Sequence, residues 1–281
     1  MTTPVWNRRV PALFLSAAFA WHAGAAAAQD ATATASDTAQ PTESQRLARE
    51  LLSGMSNYLA RLPGFRARLV SSYDVVQASG EKIEFNEIRE VTVSRPNLLR
   101  VEQMFSDGAE DLVVFDGQQI NIYDGELGVY AQAPQPGSVD DAVVYFVRDL
   151  GMRLPLAAML STRLPDELSK RVNSVDYVEY TNILGPGTHH ISARTSTVDF
   201  QVWIADGERP LPLRIVLTYK TEPGQPQFRA QFLDWDEKSA APADAFVFKP
   251  PADAQKIVFS VQAPPAGGAP APSTAPTGNL P

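Results

Sequence analysis

Three features of the chain predict a mainly β fold in which one antiparallel sheet curls into an unclosed barrel. Residues 198–235 read as three consecutive strands with little ambiguity: Val198–Ile204, Leu211–Tyr219 and Gln227–Trp235. Elsewhere, alternating apolar and polar stretches are joined by short turns, which pairs neighbouring strands antiparallel. A leading helix and one helical insertion are the only interruptions. About eleven strands then have one apolar face to cover, and so few helices cannot layer both faces of a sheet. The expected solution is a curled sheet with helices plugging its concave side.

The elements follow in order. Leu47, Leu51, Leu52, Met55, Tyr58 and Leu59 recur at helical spacing behind a cap at Thr42 or Ser44. The helix stops at Leu62-Pro63-Gly64, where proline and glycine both resist continuation. From Phe65 the pattern changes to period two, with Phe65, Ala67, Leu69, Ser71, Tyr73 and Val75 sharing one face. Ser79-Gly80 turns the chain into a second strand through Ile83, Phe85, Val91 and Val93, and Pro96-Asn97 into a third over Leu98–Phe105. Asp107-Gly108, Asp116-Gly117 and Asp124-Gly125 mark further hairpins around Leu112–Phe115 and Ile120–Tyr123.

Residues 139–171 break this rhythm. Val139–Leu150 and Pro155–Leu160 read as helices, with Asp140 and Asp141 where the dipole of the first favours them, and Leu164–Val172 as a third. Strands resume at Val175–Ile183 and His189–Thr195 and continue through the 198–235 block. Ala254–Val261 can add a last edge strand.

The folded part, residues 43–262, is flanked by segments of different character. Residues 1–28 read as an export signal: Arg8 and Arg9, an apolar run over Val10–Ala20, and an Ala-x-Ala site before Gln29. With no cysteine at that site, a lipid-anchored lipoprotein is excluded, and the product is expected in the periplasm. Residues 29–42 read as a disordered polar spacer and residues 263–281 as a disordered tail rich in Pro and Ala. No later apolar stretch is long enough to span a bilayer.

Composition narrows the function. The chain contains no cysteine, so thiol catalysis, disulfides and cysteine-based zinc sites are ruled out. Loss of Arg8 and Arg9 with the signal leaves 22 basic against 32 acidic residues, a net charge of −10. Such a chain does not bind nucleic acid through a broad basic surface. Gly-x-Ser-x-Gly and phosphate-loop glycine patterns are absent.

The stretches Asp199–Ile204, Pro210–Leu213, Val216–Lys220 and Phe246–Pro251 resemble a family of uncharacterised predicted periplasmic proteins. That family falls within the lipoprotein-carrier-like group that includes LolA and LolB. The resemblance implies a LolA-like unclosed antiparallel β-barrel with a helical lid over an apolar cavity. It also implies a ligand that is a lipid or an acylated protein. A lid arginine of the carrier kind would have Arg148 or Arg153 as its position.

The insertion carries the densest apolar set and supplies most of the expected ligand contacts: Phe146, Leu150, Met152, Leu156, Met159 and Leu160. Phe85, Met104 and Trp203 on the strands complete the set. The same side chains could equally fill the barrel as core. Neighbouring His189 and His190 point to opposite faces of a strand and cannot easily share a metal, and no cofactor is implied. Glu87, Arg89, Glu102 and Glu179 interrupt apolar faces and read as rim charges rather than a catalytic carboxylate pair. The expectation is a non-enzymatic periplasmic protein that binds a hydrophobic ligand in a half-barrel cavity. The alternative is an envelope protein-interaction or stress-sensor module on the same fold.

Overall fold

The computed structural model describes residues 40–149, 155–238 and 241–258. The expected export signal, the spacer up to residue 39, the tail, and Leu150, Met152 and Arg153 lie outside the described residues.

One helix opens the fold, α1 (Glu43–Arg61). Thr42 caps it reciprocally: Gln45 N–H donates to Thr42 Oγ1 at 3.2 Å, and Thr42 N–H donates to Gln45 Oε1 at 3.1 Å. Six strands follow: β1 (Gly64–Val76), β2 (Lys82–Ser94), β3 (Leu98–Phe105), β4 (Glu110–Phe115), β5 (Gln119–Asp124) and β6 (Val129–Pro134). The insertion contains α2 (Val139–Val144), a π-helical turn (Tyr145–Asp149), a 3₁₀ turn (Ala157–Leu160) and α3 (Leu164–Arg171). Then come β7 (Ser174–Thr181), β8 (Thr188–Arg194), β9 (Val198–Ala205), β10 (Pro212–Tyr219), β11 (Gln227–Asp236) and, after a short 3₁₀ turn, β12 (Gln255–Ile257).

All twelve strands form one sheet in the order β12-β6-β5-β4-β3-β2-β1-β11-β10-β9-β8-β7. The first strand pairs with the eleventh, from Arg66 opposite Asp236 to Tyr73 opposite Phe228. The two halves of the chain therefore spread away from a central β1–β11 seam, and β12 and β7 remain as edges. Every pair is antiparallel except β12 on β6, whose parallel pairing becomes possible because the long intervening chain supplies the crossover. The unclosed antiparallel sheet with a leading helix is the architecture the alternation predicts.

One face of the sheet is buried. Ala48, Leu52, Met55 and Leu59 of α1 seal it over β7, β8 and β9, where Val175, Ile191, Val202 and Ile204 are buried. Removing each of the Leu, Met, Ile and Val side chains in this set from water stabilises the fold by about 1.5–3 kcal/mol. Along β1 to β4 the inner face is instead met by the insertion, and there the packing leaves a space.

Candidate functional site

Cross-strand partners share a face, so register sorts the inner side chains of β1 to β4 into rows. The first row holds Phe65, Val93, Leu99 and Phe115, and the second Ala67, Val91, Val101 and Val113. The third runs Leu69, Arg89, Gln103 and Asp111. The floor is thus apolar for two rows, and the third sets three polar side chains beside Leu69.

Phe232 and Trp235 of β11 form a side wall. The lid consists of Val143 and Phe146 from α2 and the π-helical turn, followed by Pro155, Leu156, Ala157, Met159 and Leu160. Together they enclose a cavity of about 90 Å³. A dry apolar cavity of about 150 Å³ accepts benzene, so a longer chain enters here only if the lid shifts.

Two local features mark the backbone of the lid. A π-helical turn (Tyr145–Asp149) continues α2, a geometry that recurs at functional sites. Leu156 has φ 68°, in the left-handed region, which costs a leucine about 1–2 kcal/mol.

One side-chain hydrogen bond ties the lid to the sheet, and two more brace the insertion internally. Arg95, in the β2–β3 turn, donates from Nε to the Leu62 carbonyl at 3.0 Å and from Nη1 to the Leu160 carbonyl at 2.6 Å. Burial pushes the Arg95 pKa down and the nearby Asp140 charge partly restores it. Asp140 in turn accepts from Thr162 N–H at 2.9 Å and from the Thr162 hydroxyl at 2.5 Å. Arg95 thus reaches the lid from the sheet, whereas Arg148 belongs to the insertion itself.

Arg89, Gln103 and Asp111 line the polar end of the cavity, and one row beyond them is Glu87. Its side chain is buried and accepts from Ser71 Oγ at 2.7 Å, Arg89 Nη2 at 2.5 Å and Gln103 Nε2. This corrects the expectation of a rim charge: Glu87 points into the barrel and is compensated there. Arg89 also lies over the Phe228 ring at 5.8 Å.

The expected ligand contacts fall into four groups. Phe146, Leu156, Met159 and Leu160 line the cavity together. Phe85 is on the same face but two rows beyond Arg89, where it stacks on Tyr73 at 6.0 Å. Met104 faces the opposite way, opposite Ile88, and is 40% exposed on the outer surface. Trp203 also lies outside, stacked on His190 at 3.9 Å, so neither Met104 nor Trp203 reaches the cavity. Leu150 and Met152 lie outside the described residues.

Sequence reasoning missed Trp235, Phe232 and Arg95. It separated the histidines as the structure does: His190 Nε2 meets Gln201 Oε1 at 3.0 Å on the outer face, while His189 meets Tyr177 and Asp206 on the inner. No cluster of three metal-ligating groups occurs among the described residues. Nor is any described helix long and apolar enough to cross a membrane.

Comparisons with known proteins give distant structural likenesses and one family match. It is similar to the lipoprotein LppX of Mycobacterium tuberculosis at 11% identity and a TM-score of 0.46, over 70% of this chain and 99% of that one. It is similar to the LolA superfamily protein NE2245 of Nitrosomonas europaea at 8% identity and a TM-score of 0.36, over 72% and 97% of the two chains. A third likeness is to the Pseudomonas aeruginosa MucA/MucB complex, at 15% identity and a TM-score of 0.39, over 72% of this chain and 61% of that one. A comparison with curated proteins finds no match. A family model described as "Predicted periplasmic protein (DUF2092)" matches residues 48–260, most of the chain. The chain belongs to this family of predicted periplasmic proteins.

Proposed function

We propose that the chain is an exported, non-enzymatic periplasmic protein that binds a hydrophobic ligand, a lipid or an acylated protein, between the sheet and its lid. The observation that supports this reading is the cavity itself: two apolar rows of floor under an apolar lid that packs on the core and still leaves a space between them. Ligand contacts are assigned to Phe146, Leu156, Met159 and Leu160, with Trp235 and Phe232 as the wall. Burial of each methylene contributes about 0.8 kcal/mol, so an acyl chain needs no charged anchor for useful affinity. Met159 suits such a site because its thioether adapts to the shape of the chain.

A second reading, an envelope protein-interaction module, draws on a different place. Strand β7 is an open edge, and its Val178 and Tyr180 are about half exposed. An open edge can accept a strand from another protein.

Native mass spectrometry of the protein purified from periplasm without detergent, followed by organic extraction, tests the first reading. A defined lipid at near-stoichiometric level is the expected result. A clean apo mass with no uptake of a fluorescent fatty acid would overturn it and leave the edge-strand reading to be tested by partner capture.

A further inference from the structure

We propose that Gln103, at the polar end of the cavity, selects ligands whose neutral head group donates a hydrogen bond, the hydroxyl of a partial glyceride or long-chain alcohol or the N–H of an N-acyl amide. The inference rests on the hydrophobic-ligand reading above and names the chemistry of the ligand's polar group.

The starting observation is the orientation of one side-chain amide. Gln103 lines the cavity in the third row of the floor, between Arg89 on β2 and Asp111 on β4. Its Nε2 donates to Glu87, which lies one row further from the apolar floor. Glu87 is buried, and its carboxylate also accepts from Ser71 Oγ and Arg89 Nη2. A carboxylate accepts and does not donate, so the amide is held with its nitrogen toward Glu87 and its oxygen away from it. That oxygen, Oε1, has no hydrogen-bond partner among the described residues. Unlike Arg89 Nε, it is not sealed from solvent, and Gln103 as a whole is half-buried.

The polar end of the cavity therefore presents an open acceptor whose direction is set by the protein. In the free protein such an oxygen is served by solvent. A ligand that displaces the water brings a donor of its own or leaves the carbonyl unpaired, and the second outcome is unfavourable. A hydroxyl or a secondary amide supplies that donor without adding charge. An ether or a tertiary amide has no proton to give.

The position fits as well. From a head group at Gln103, the chain runs over the row of Ala67, Val91, Val101 and Val113 toward Phe65 and Leu99, beneath Phe146, Leu156 and Met159. In the other direction Glu87 and its partners occupy the face, and methylenes gain nothing by lying against them.

The test follows displacement of diphenylhexatriene, a fluorescent probe with no polar group, from the full-length mature protein. The competitors form two pairs, each with one chain and one proton exchanged for a methyl group. They are 1-dodecanol against dodecyl methyl ether, and N-methyldodecanamide against N,N-dimethyldodecanamide, each below its solubility limit. Wild type should bind the donor member of at least one pair about fivefold more tightly, the worth of one net hydrogen bond. Methylation makes the molecule more apolar, so hydrophobic burial alone predicts the opposite order. Gln103→Met and Gln103→Leu remove the amide and leave Glu87 its bonds to Ser71 and Arg89. In both variants the preference should fall to about twofold or less. No preference in either pair for wild type, or a preference that survives in both variants, would overturn the inference and leave hydrophobic binding intact. Failure of wild type to bind the probe and every competitor would overturn both readings. A preference confined to the alcohol pair supports a free lipid as the source of the donor, and one confined to the amide pair supports an N-acylated protein.

Discussion

Arg95 and Leu160 are 65 positions apart, yet Arg95 Nη1 donates to the Leu160 carbonyl at 2.6 Å while Nε holds the Leu62 carbonyl at 3.0 Å. One planar guanidinium thus joins the end of α1, the β2–β3 turn and the rim of the lid. Replacement by methionine keeps the aliphatic stem but leaves two carbonyls without their donor. Hydrogen bonds to charged groups contribute about 1.5–3 kcal/mol, so Arg95→Met should lower stability by an amount in that range, read from urea unfolding. It should also speed uptake of an apolar fluorescent probe, because the lid opens more often. Arg95→Lys should not restore both effects, since an ammonium lacks the fork that spans two carbonyls. Unchanged uptake with lowered stability would make Arg95 a brace of the fold and not a control on the lid.

Ala157 sits in the lid, buried, with its methyl group on the cavity. Ala157→Trp should fill a space of about 90 Å³. Overpacking of this kind costs about 1–3 kcal/mol, which a domain of ordinary stability survives. The expected outcome is a folded protein that no longer takes up fluorescent fatty acid. Uptake at the wild-type level by a folded variant would place the ligand elsewhere.

Much of this was legible in the residues, and the failures have physical causes. Alternation along Phe65, Ala67 and Leu69 identifies the inner face of β1, and antiparallel register carries it to β2 and β3. Met104 misleads because Gln103 interrupts the apolar series Leu99, Val101 on the inner face, so the next apolar side chain belongs to the outer one. Trp235 is hidden by a bulge. The β1–β11 register shifts between Arg68 and Leu69, so Phe232 and Trp235, three apart, both face inward. Glu87 and Arg89 look like rim charges because each is placed on an apolar face; only the fold brings Ser71 and Gln103 to them. Arg95 carries no local signal, since its acceptors are backbone carbonyls far away in the chain.

Acid should weaken the fold in a defined window. Asp74 accepts from Arg229 Nη1 at 2.8 Å and from Gln227 N–H at 2.9 Å. Burial alone would raise its pKa, but these two bonds and the Arg229 charge outweigh it and hold the carboxyl below its usual range. Asp141 is lowered by the Ser138 hydroxyl and N–H, and Asp206 by its bond to His189. A carboxyl with a folded-state pKa below the unfolded one binds fewer protons when folded, so stability rises with pH through that interval. The contribution is complete above the unfolded value of about 4 and is lost as pH falls through the folded value. Urea midpoints should be nearly level from about pH 7 to pH 5 and fall below about pH 4. Asp74→Asn should lower the midpoint at pH 7 and make the acid decline shallower. A decline parallel to that of wild type would mean that Asp74 is not among the groups responsible.

The two tryptophans among the described residues lie on opposite faces of the sheet, which gives the cavity an internal reporter. Trp235 lines it, packed on Phe232 at 4.9 Å and Phe65 at 5.4 Å, with Nε1 donating to the Pro212 carbonyl at 3.0 Å. Trp203 is shielded from it by the sheet and stacks on His190 at 3.9 Å. A ligand that displaces side chains around Trp235 changes the polarity and contacts of that indole and leaves Trp203 as it was. Addition of a monoglyceride should therefore shift the intrinsic emission of wild type and of Trp203→Phe by similar amounts. In Trp235→Phe the shift should disappear while binding, followed by probe displacement, weakens by less than about tenfold, because phenylalanine keeps most of the wall. A shift that survives in Trp235→Phe and vanishes in Trp203→Phe would put the ligand on the outer face of the sheet, against the cavity under the lid.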